Sequence, residues 1–223
     1  PHPVTVTFGD PVPEGTTPFE LRQKISEMGA ETEMVPRSSE RPLHYQIARH
    51  AKRKPFFTVV CDYGGRKMNC FQFCTASAIL SRKIRAMIAP DCQYVGVMMP
   101  NCTAASLACT GIMMADKVPA ILNFTASRDS LKASIRKGSI THVLTSRKFL
   151  DKIKFEKLPE MVFLEDIAGS VTRKEKILMA VLLAVLPHQE FMNLISPLTH
   201  RNVMGTAVVL FSSGSTGNPK GVM

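Results

Sequence analysis

With 223 residues, 45% of them hydrophobic and 21% charged, the chain is long enough for one large or two small domains and too balanced in composition to be disordered. The net charge of +10 raises nucleic acid as a partner, but no helix-turn-helix, RNP or zinc-knuckle signature accompanies it, so nucleic acid is not expected; an anionic lipid surface or acidic partners suit the charge as well. Six cysteines (Cys61, Cys70, Cys74, Cys92, Cys102 and Cys109) lack paired C-x-x-C spacing and read as reduced core thiols of a cytosolic protein, with no metal site.

Pro1 in place of an initiator methionine points to a piece of a longer product, and no stretch near it reads as a secretion signal. "VTVTF" alternates apolar and polar residues, which predicts a strand with Val4, Val6 and Phe8 on one face. "GDPVPEGTTP" is a loop that leads into a helix start at Thr17-Pro18. In "FELRQKISEMGAE" Leu21, Ile25 and Met28 fall on one helical face. One strand and one helix cannot bury a core, so residues 1–33 are expected to pack on something else. Residues 34–42 are polar and proline-rich and read as a linker.

A second pattern fills residues 43–223. "LHYQIARHAKR" predicts a short helix. "FTVVCD" and "KMNCF" are expected to pair as a hairpin through "YGGR". Ala76, Ile79, Leu80, Ile84, Met87 and Ile88 then form a helical stripe within 72–88. "YVGVMMP" reads as a strand buried on both faces, and Asn101 is expected to cap the helix that runs to about Ala115. "VPAILNF" is a strand, "SRDSLKASIRKG" a helix capped by Ser127 and stopped at Gly138, "ITHVLTS" a strand, "RKFLDKI" a short helix and "EMVFLED" a strand. This alternation predicts an α/β fold with a parallel sheet and covering helices.

"RKEKILMAVLLAVLP" is the odd element. Ile177 to Leu186 is apolar all round and follows basic residues, and ten residues are too few to span a bilayer. Two readings stay open: a buried helix, or one lying in a membrane interface. His142 and His200 have no nucleophile paired with them and read as ordinary histidines. The Met98–Met99 and Met113–Met114 pairs read as core packing.

The chain closes on an apolar run, "TAVVLF", followed by "SSGSTGNPKG". A strand entering a Gly/Ser/Thr loop can offer backbone N–H groups and hydroxyls to phosphate oxygens, and a lysine adds charge. The order is not that of a Walker A loop, because Pro219 precedes Lys220 and Gly221 follows it; nor is it a G-x-G-x-x-G fingerprint. It resembles the phosphate-binding motif S/T-S/T-G-S/T-T-G-x-P-K-G of the adenylate-forming (AMP-binding) enzymes, and Ser212 to Gly221 matches it throughout. "CDYGGRKMNCFQF" and "VGVMMPNCTAASLACTGIMMADKVPAILNF" precede the motif in that family's order, so the resemblance covers roughly Leu43 to Met223.

Within the family, "DKVP…NFTAS", "VLTSRKFL" and "MVFLED" look like the acyl-acyl-carrier-protein synthetase half of a bifunctional enzyme whose other half is a 2-acylglycerophosphoethanolamine acyltransferase. Asp116 departs from it, standing where Gly is expected. Residues 1–33 resemble the C-terminal tail of a glycerolipid acyltransferase domain. The resemblance implies a window from a longer protein. Such a window would start after the acyltransferase H-x-x-x-x-D motif, and the adenine-binding, ribose-binding and magnesium-associated residues would lie beyond Met223. Alone it would have neither activity.

By that resemblance, Ser212, Ser213, Gly214, Ser215, Thr216, Gly217 and Lys220 would contact ATP phosphates, with Lys220 also acting in catalysis and Pro219 shaping the loop. The implied reaction uses ATP and Mg2+ to turn a fatty acid into acyl-AMP. It then forms a thioester on acyl carrier protein or CoA and passes the acyl group to a lysophospholipid, at the cytoplasmic face of the inner membrane. The alternatives are a stand-alone long-chain acyl-CoA ligase in the cytoplasm, or a non-catalytic, lipid-associated module.

Overall fold

The computed structural model describes residues 8–33, 41–65, 67–196, 205–213 and 219–222. The chain divides into two compact units, Pro1–Arg41 and Pro42–Met223. In the first, α1 spans Pro18–Glu33. Its start is locked by a reciprocal bond: the Glu20 carboxylate accepts from the Thr17 N–H (2.9 Å) and hydroxyl (2.8 Å), while Thr17 Oγ1 accepts from the Glu20 N–H. Leu21 and Ile25 are exposed on it. The strand expected at 4–8 lies outside the described residues but for Phe8, as does the linker between 34 and 40.

The second unit opens with α2 (Leu43–Arg53) and the antiparallel pair β1 (Thr58–Cys61) and β2 (Lys67–Asn69). Gly65 turns the hairpin at φ 79°. The second strand is shorter than expected, because Asn69 caps α3 (Cys70–Met87). Its side chain accepts from the Gln72 N–H at 2.8 Å, and Gln72 reaches back to the Asn69 N–H, which draws Cys70 and Phe71 into the helix. Then follow β3 (Tyr94–Val97), α4 (Thr103–Met114), β4 (Val118–Ile121), α5 (Arg128–Lys137), β5 (Val143–Thr145), α6 (Arg147–Ile153) and β6 (Met161–Phe163). Leu164, Glu165 and Asp166, expected to extend that strand, instead begin α7 (Leu164–Gly169). Helices α8 (Arg173–Val185) and α9 (His188–Ile195) precede β7 (Val209–Ser213) and β8 (Pro219–Val222). Helix α9 was not foreseen.

The main sheet runs β6-β5-β3-β4-β7-β8; the first five strands are parallel and β8 is antiparallel at the edge. Its two faces separate by alternation of residues, as the strand period of two requires. Val95, Val97, Leu144, Ile121 and Val162 pack with α3 and α4. Ala120, Val143, Met161 and Val209 pack with Leu131 and Ile135 of α5 and Phe149 and Leu150 of α6. A further cluster, built from α2, α8, α9 and the outer side of α3, buries Tyr45, Cys74, Met179, Leu183 and Phe191. Helices α3 and α4 approach so closely that a Cβ on Gly111 would come within 2.9 Å of the Leu80 side chain.

Two contacts were hidden from a local reading. Asn101 does not cap α4. The Asp62 carboxylate, at the end of β1, accepts from the Thr103 N–H at 2.6 Å and its hydroxyl at 2.7 Å, forty-one positions away. Asp62→Ala should lower stability by about 1–2 kcal/mol; urea unfolding of the variant and wild type measures it, and a change of a few tenths would mean that water replaces the cap.

The second contact centres on Asp116, which takes φ 58°, the left-handed region that glycine adopts most easily. Asp116 keeps the conformation with its side chain 1% exposed, accepting from Ser196 Oγ and lying 3.9 Å from the Arg85 guanidinium. Arg85 also donates to the carbonyls of Met114 (3.0 Å) and Ile195.

The cysteines are all free, but Cys61 is exposed and not a core thiol. Burial pushes the Cys74 thiol up to about 12, and those of Cys70 and Cys109 upward as well. Iodoacetamide at neutral pH should therefore label Cys61 in the folded protein and spare Cys74, read by peptide mass spectrometry; labelling of Cys74 at the same rate would contradict the packing around α3.

Candidate functional site

In a parallel α/β sheet, ligands meet the loops at the carboxyl ends of the strands. The "SSGSTGNPKG" segment belongs at that end. Strand β7 is seated beside β4 by parallel pairing, Ala120 opposite Val209 and Ile121 opposite Leu210, and it ends in Ser212 and Ser213. The chain then returns as β8, with Ser213 opposite Pro219, Ser212 opposite Lys220 and Phe211 opposite Gly221. The segment is thus a hairpin and not an open loop. Proline and glycine in "PKGV" disfavour a strand, yet Pro219 sits at the first position of an edge strand, where its missing N–H does no harm.

The register brings the backbones of Ser212 and Lys220 together across the hairpin. Gly214, Ser215, Thr216, Gly217 and Asn218 come between the two strands in sequence and lie outside the described residues. The base of the hairpin is firmly held. Val209 is in the core and Phe211 packs against it, while a Cβ on Gly138, at the end of α5, would stand 3.2 Å from the Phe211 ring. Arg136 and Lys137 occupy the last turn of α5, which packs on β8. A small cavity of about 160 Å³ beneath this base is lined by Lys137, Gly138, Phe211 and Gly221, among others.

The neighbouring carboxyl-end loops are well ordered by their own hydrogen bonds. After β4, Asn123 Oδ1 accepts from the Thr125 N–H at 2.9 Å and its hydroxyl at 2.7 Å. After β5, the buried Thr145 hydroxyl donates to the Met98 carbonyl at 2.8 Å, tying the ends of β3 and β5 at the point where strand order reverses. Beyond it, Ser146 and the Arg147 N–H both donate to Glu165, whose carboxyl is held below its ordinary range by these bonds and the Arg147 charge, burial notwithstanding.

A larger cleft of about 510 Å³ opens next to this loop, walled by Ile79, Leu80, Leu107, Leu164, Ile167 and Val171 with Ser146, Glu165 and Lys176 among its polar members. Its walls suit an apolar group. Ala76, Ile79 and Leu80 of the helical stripe of α3 line this cleft, and Ile79 also packs against the cluster of α2, α8 and α9. Among the described residues no three His, Cys, Asp or Glu side chains gather to hold a metal.

The sequence from 47 to 223 matches the family described as AMP-binding enzyme. Three solved structures are similar in fold. The inhibitor-bound N-terminal domain of FACL13 from Mycobacterium tuberculosis shares 15% identity, over 82% of this chain and 44% of that one, with a TM-score of 0.57. VinN, solved with 3-methylaspartate, shares 18% over 82% and 47%, with a TM-score of 0.58. The fatty acid AMP ligase from Legionella pneumophila shares 17% over 81% and 30%, with a TM-score of 0.57. The chain thus spans less than half the length of each of these proteins.

Proposed function

The chain belongs to the AMP-binding enzyme family, and from that premise we propose that it is the N-terminal portion of an ATP-dependent fatty-acyl-activating ligase. The observation that supports this most is the hairpin. Strands β7 and β8, which bracket the Ser/Thr/Gly stretch in sequence, pair at the carboxyl end of a parallel sheet, on a base packed into the core. In the proposed reaction a fatty carboxylate oxygen attacks the α-phosphorus of ATP, the bond to the β-phosphate bridge breaks, and acyl-AMP and pyrophosphate result. Charge grows on the leaving pyrophosphate. Donors already in place lower the barrier because they need no reorganisation. That is the role we assign to Ser212, Ser213, Gly214, Ser215, Thr216, Gly217 and Lys220.

A phosphopantetheine thiol of acyl carrier protein or CoA would then displace AMP. We further propose that residues 1–33 end an acyltransferase domain, which would pass the acyl group to a lysophospholipid at the cytoplasmic face of the inner membrane. Fatty acid is favoured as substrate because a fatty acid AMP ligase is among the similar structures. Magnesium would accompany ATP, and we route no step through it.

The test is ATP–pyrophosphate exchange by the full-length protein with and without a fatty acid. Exchange that depends on the fatty acid is expected; exchange driven instead by an amino acid or aryl acid would refute the substrate class, and none at all would favour a non-catalytic module. Chasing the acyl-AMP with CoA and with acyl carrier protein in parallel identifies the acceptor.

A further inference from the structure

Helix α8 has two apolar faces. Met179 and Leu183 are buried against α2, α3 and α9, and Leu182 and Leu186 pack at the margin of the same cluster. The opposite side presents Ile177 (64% exposed), Leu178 (50%), Val181 (50%) and Val185 (74%) to solvent. Ile177, Val181 and Val185 follow one another at helical spacing, and Lys174 continues their stripe one turn earlier, beside Arg173. Glu175, the acid of this helix, is turned away. It caps the helix through Thr172 and meets Lys83 at 2.8 Å, and these bonds pull its carboxyl down to about 2. The other end is held by Lys52, whose ammonium donates to the carbonyls of Leu183 and Ala184. The stripe therefore sits on a helix pinned at both ends.

A surface helix needs only one apolar face, so a second one calls for a partner. We infer that this stripe docks on an anionic lipid surface, with Ile177, Leu178, Val181 and Val185 entering the acyl boundary and Arg173 and Lys174 meeting lipid phosphates. The charge beside the stripe favours lipid over protein. Its charged end is purely basic, on a chain of net charge +10. Among the described residues no helix is long and apolar enough to cross a membrane, so this is attachment by one face. The inference deepens the lipid-substrate reading above by naming the element that meets the lipid.

The experiment is flotation of the full-length protein with vesicles of phosphatidylcholine alone or mixed with phosphatidylglycerol. Binding is expected with the anionic vesicles. It should fall at least about tenfold in Ile177→Gln/Val181→Gln/Val185→Gln, and about fivefold for each of Arg173→Gln and Lys174→Gln. The replaced side chains are exposed, so thermal melting should not move. Equal flotation of the triple variant overturns the inference. So does a dimer or a tight protein complex that the triple variant dissolves, which would make the stripe a protein interface. Exchange assayed in parallel with soluble octanoate separates the two readings. Exchange without flotation removes only the lipid surface, and flotation without exchange removes only the ligase.

Discussion

Replacing Lys220 by alanine in the full-length protein is expected to lower fatty-acid-dependent ATP–pyrophosphate exchange by about 10²–10³-fold, the usual cost of one charged contact made in a transition state. The position supports so specific a loss. Lys220 lies opposite Ser212 in the terminal hairpin, where backbone pairing with β7 holds β8 in place. The variant should therefore melt as wild type does, and the loss should fall on kcat more than on the KM for ATP. Lys220→Arg keeps the charge but changes its shape and reach, and should recover part of the rate. Exchange within about twofold of wild type in Lys220→Ala would remove this residue from the chemistry.

The largest effect on stability is expected from Arg85→Ala. The guanidinium binds the Met114 and Ile195 carbonyls and stands beside the buried Asp116, so it joins α3 to the ends of α4 and α9. Its removal strands a carboxylate in the interior, at a cost of about 3 kcal/mol, the low end for a broken buried pair because the ions are 3.9 Å apart. Asp116→Gly on the same background should restore much of that loss, since it removes the stranded charge and suits φ 58°. Urea unfolding of wild type, Arg85→Ala, Asp116→Gly and the double variant completes a double-mutant cycle. Strictly additive losses would mean that Arg85 acts through the carbonyls alone.

What the sequence made legible follows from how far each determinant lies along the chain. The parallel sheet was readable from short apolar runs alternating with capped helices, and α5 was placed from Ser127 and Gly138 alone. The terminal motif stood out by its order of residues. Its return strand did not, because pairing with Ser212 overrides the poor strand propensity of Pro219 and Gly221. The cap of α4 was assigned to Asn101 by proximity, whereas the true acceptor, Asp62, comes from a separate hairpin. Helix α8 was read as apolar all round. Only packing shows which side is spent on the core and that Leu182 and Leu186 belong to it. The role of Asp116 was equally out of reach, since a left-handed backbone and two distant partners leave no local mark.

The pairing of β4 with β7 also bears on synthesis. Ala120 waits for Val209 across 89 intervening steps of chain, which at ribosomal speed is about 4–18 s. For that time the nascent sheet ends at β4, and an unfinished edge invites pairing with a neighbouring polypeptide. The N–H groups of Val118 and Leu122 donate toward β3, to Gln93 and Val97. By alternation, Pro119 and Ile121 therefore face the empty side. Proline has no hydrogen to give there, and the register with β7 begins only at Ala120, so the finished sheet loses nothing. Pro119 keeps the waiting edge poor in donors until β7 has left the ribosome.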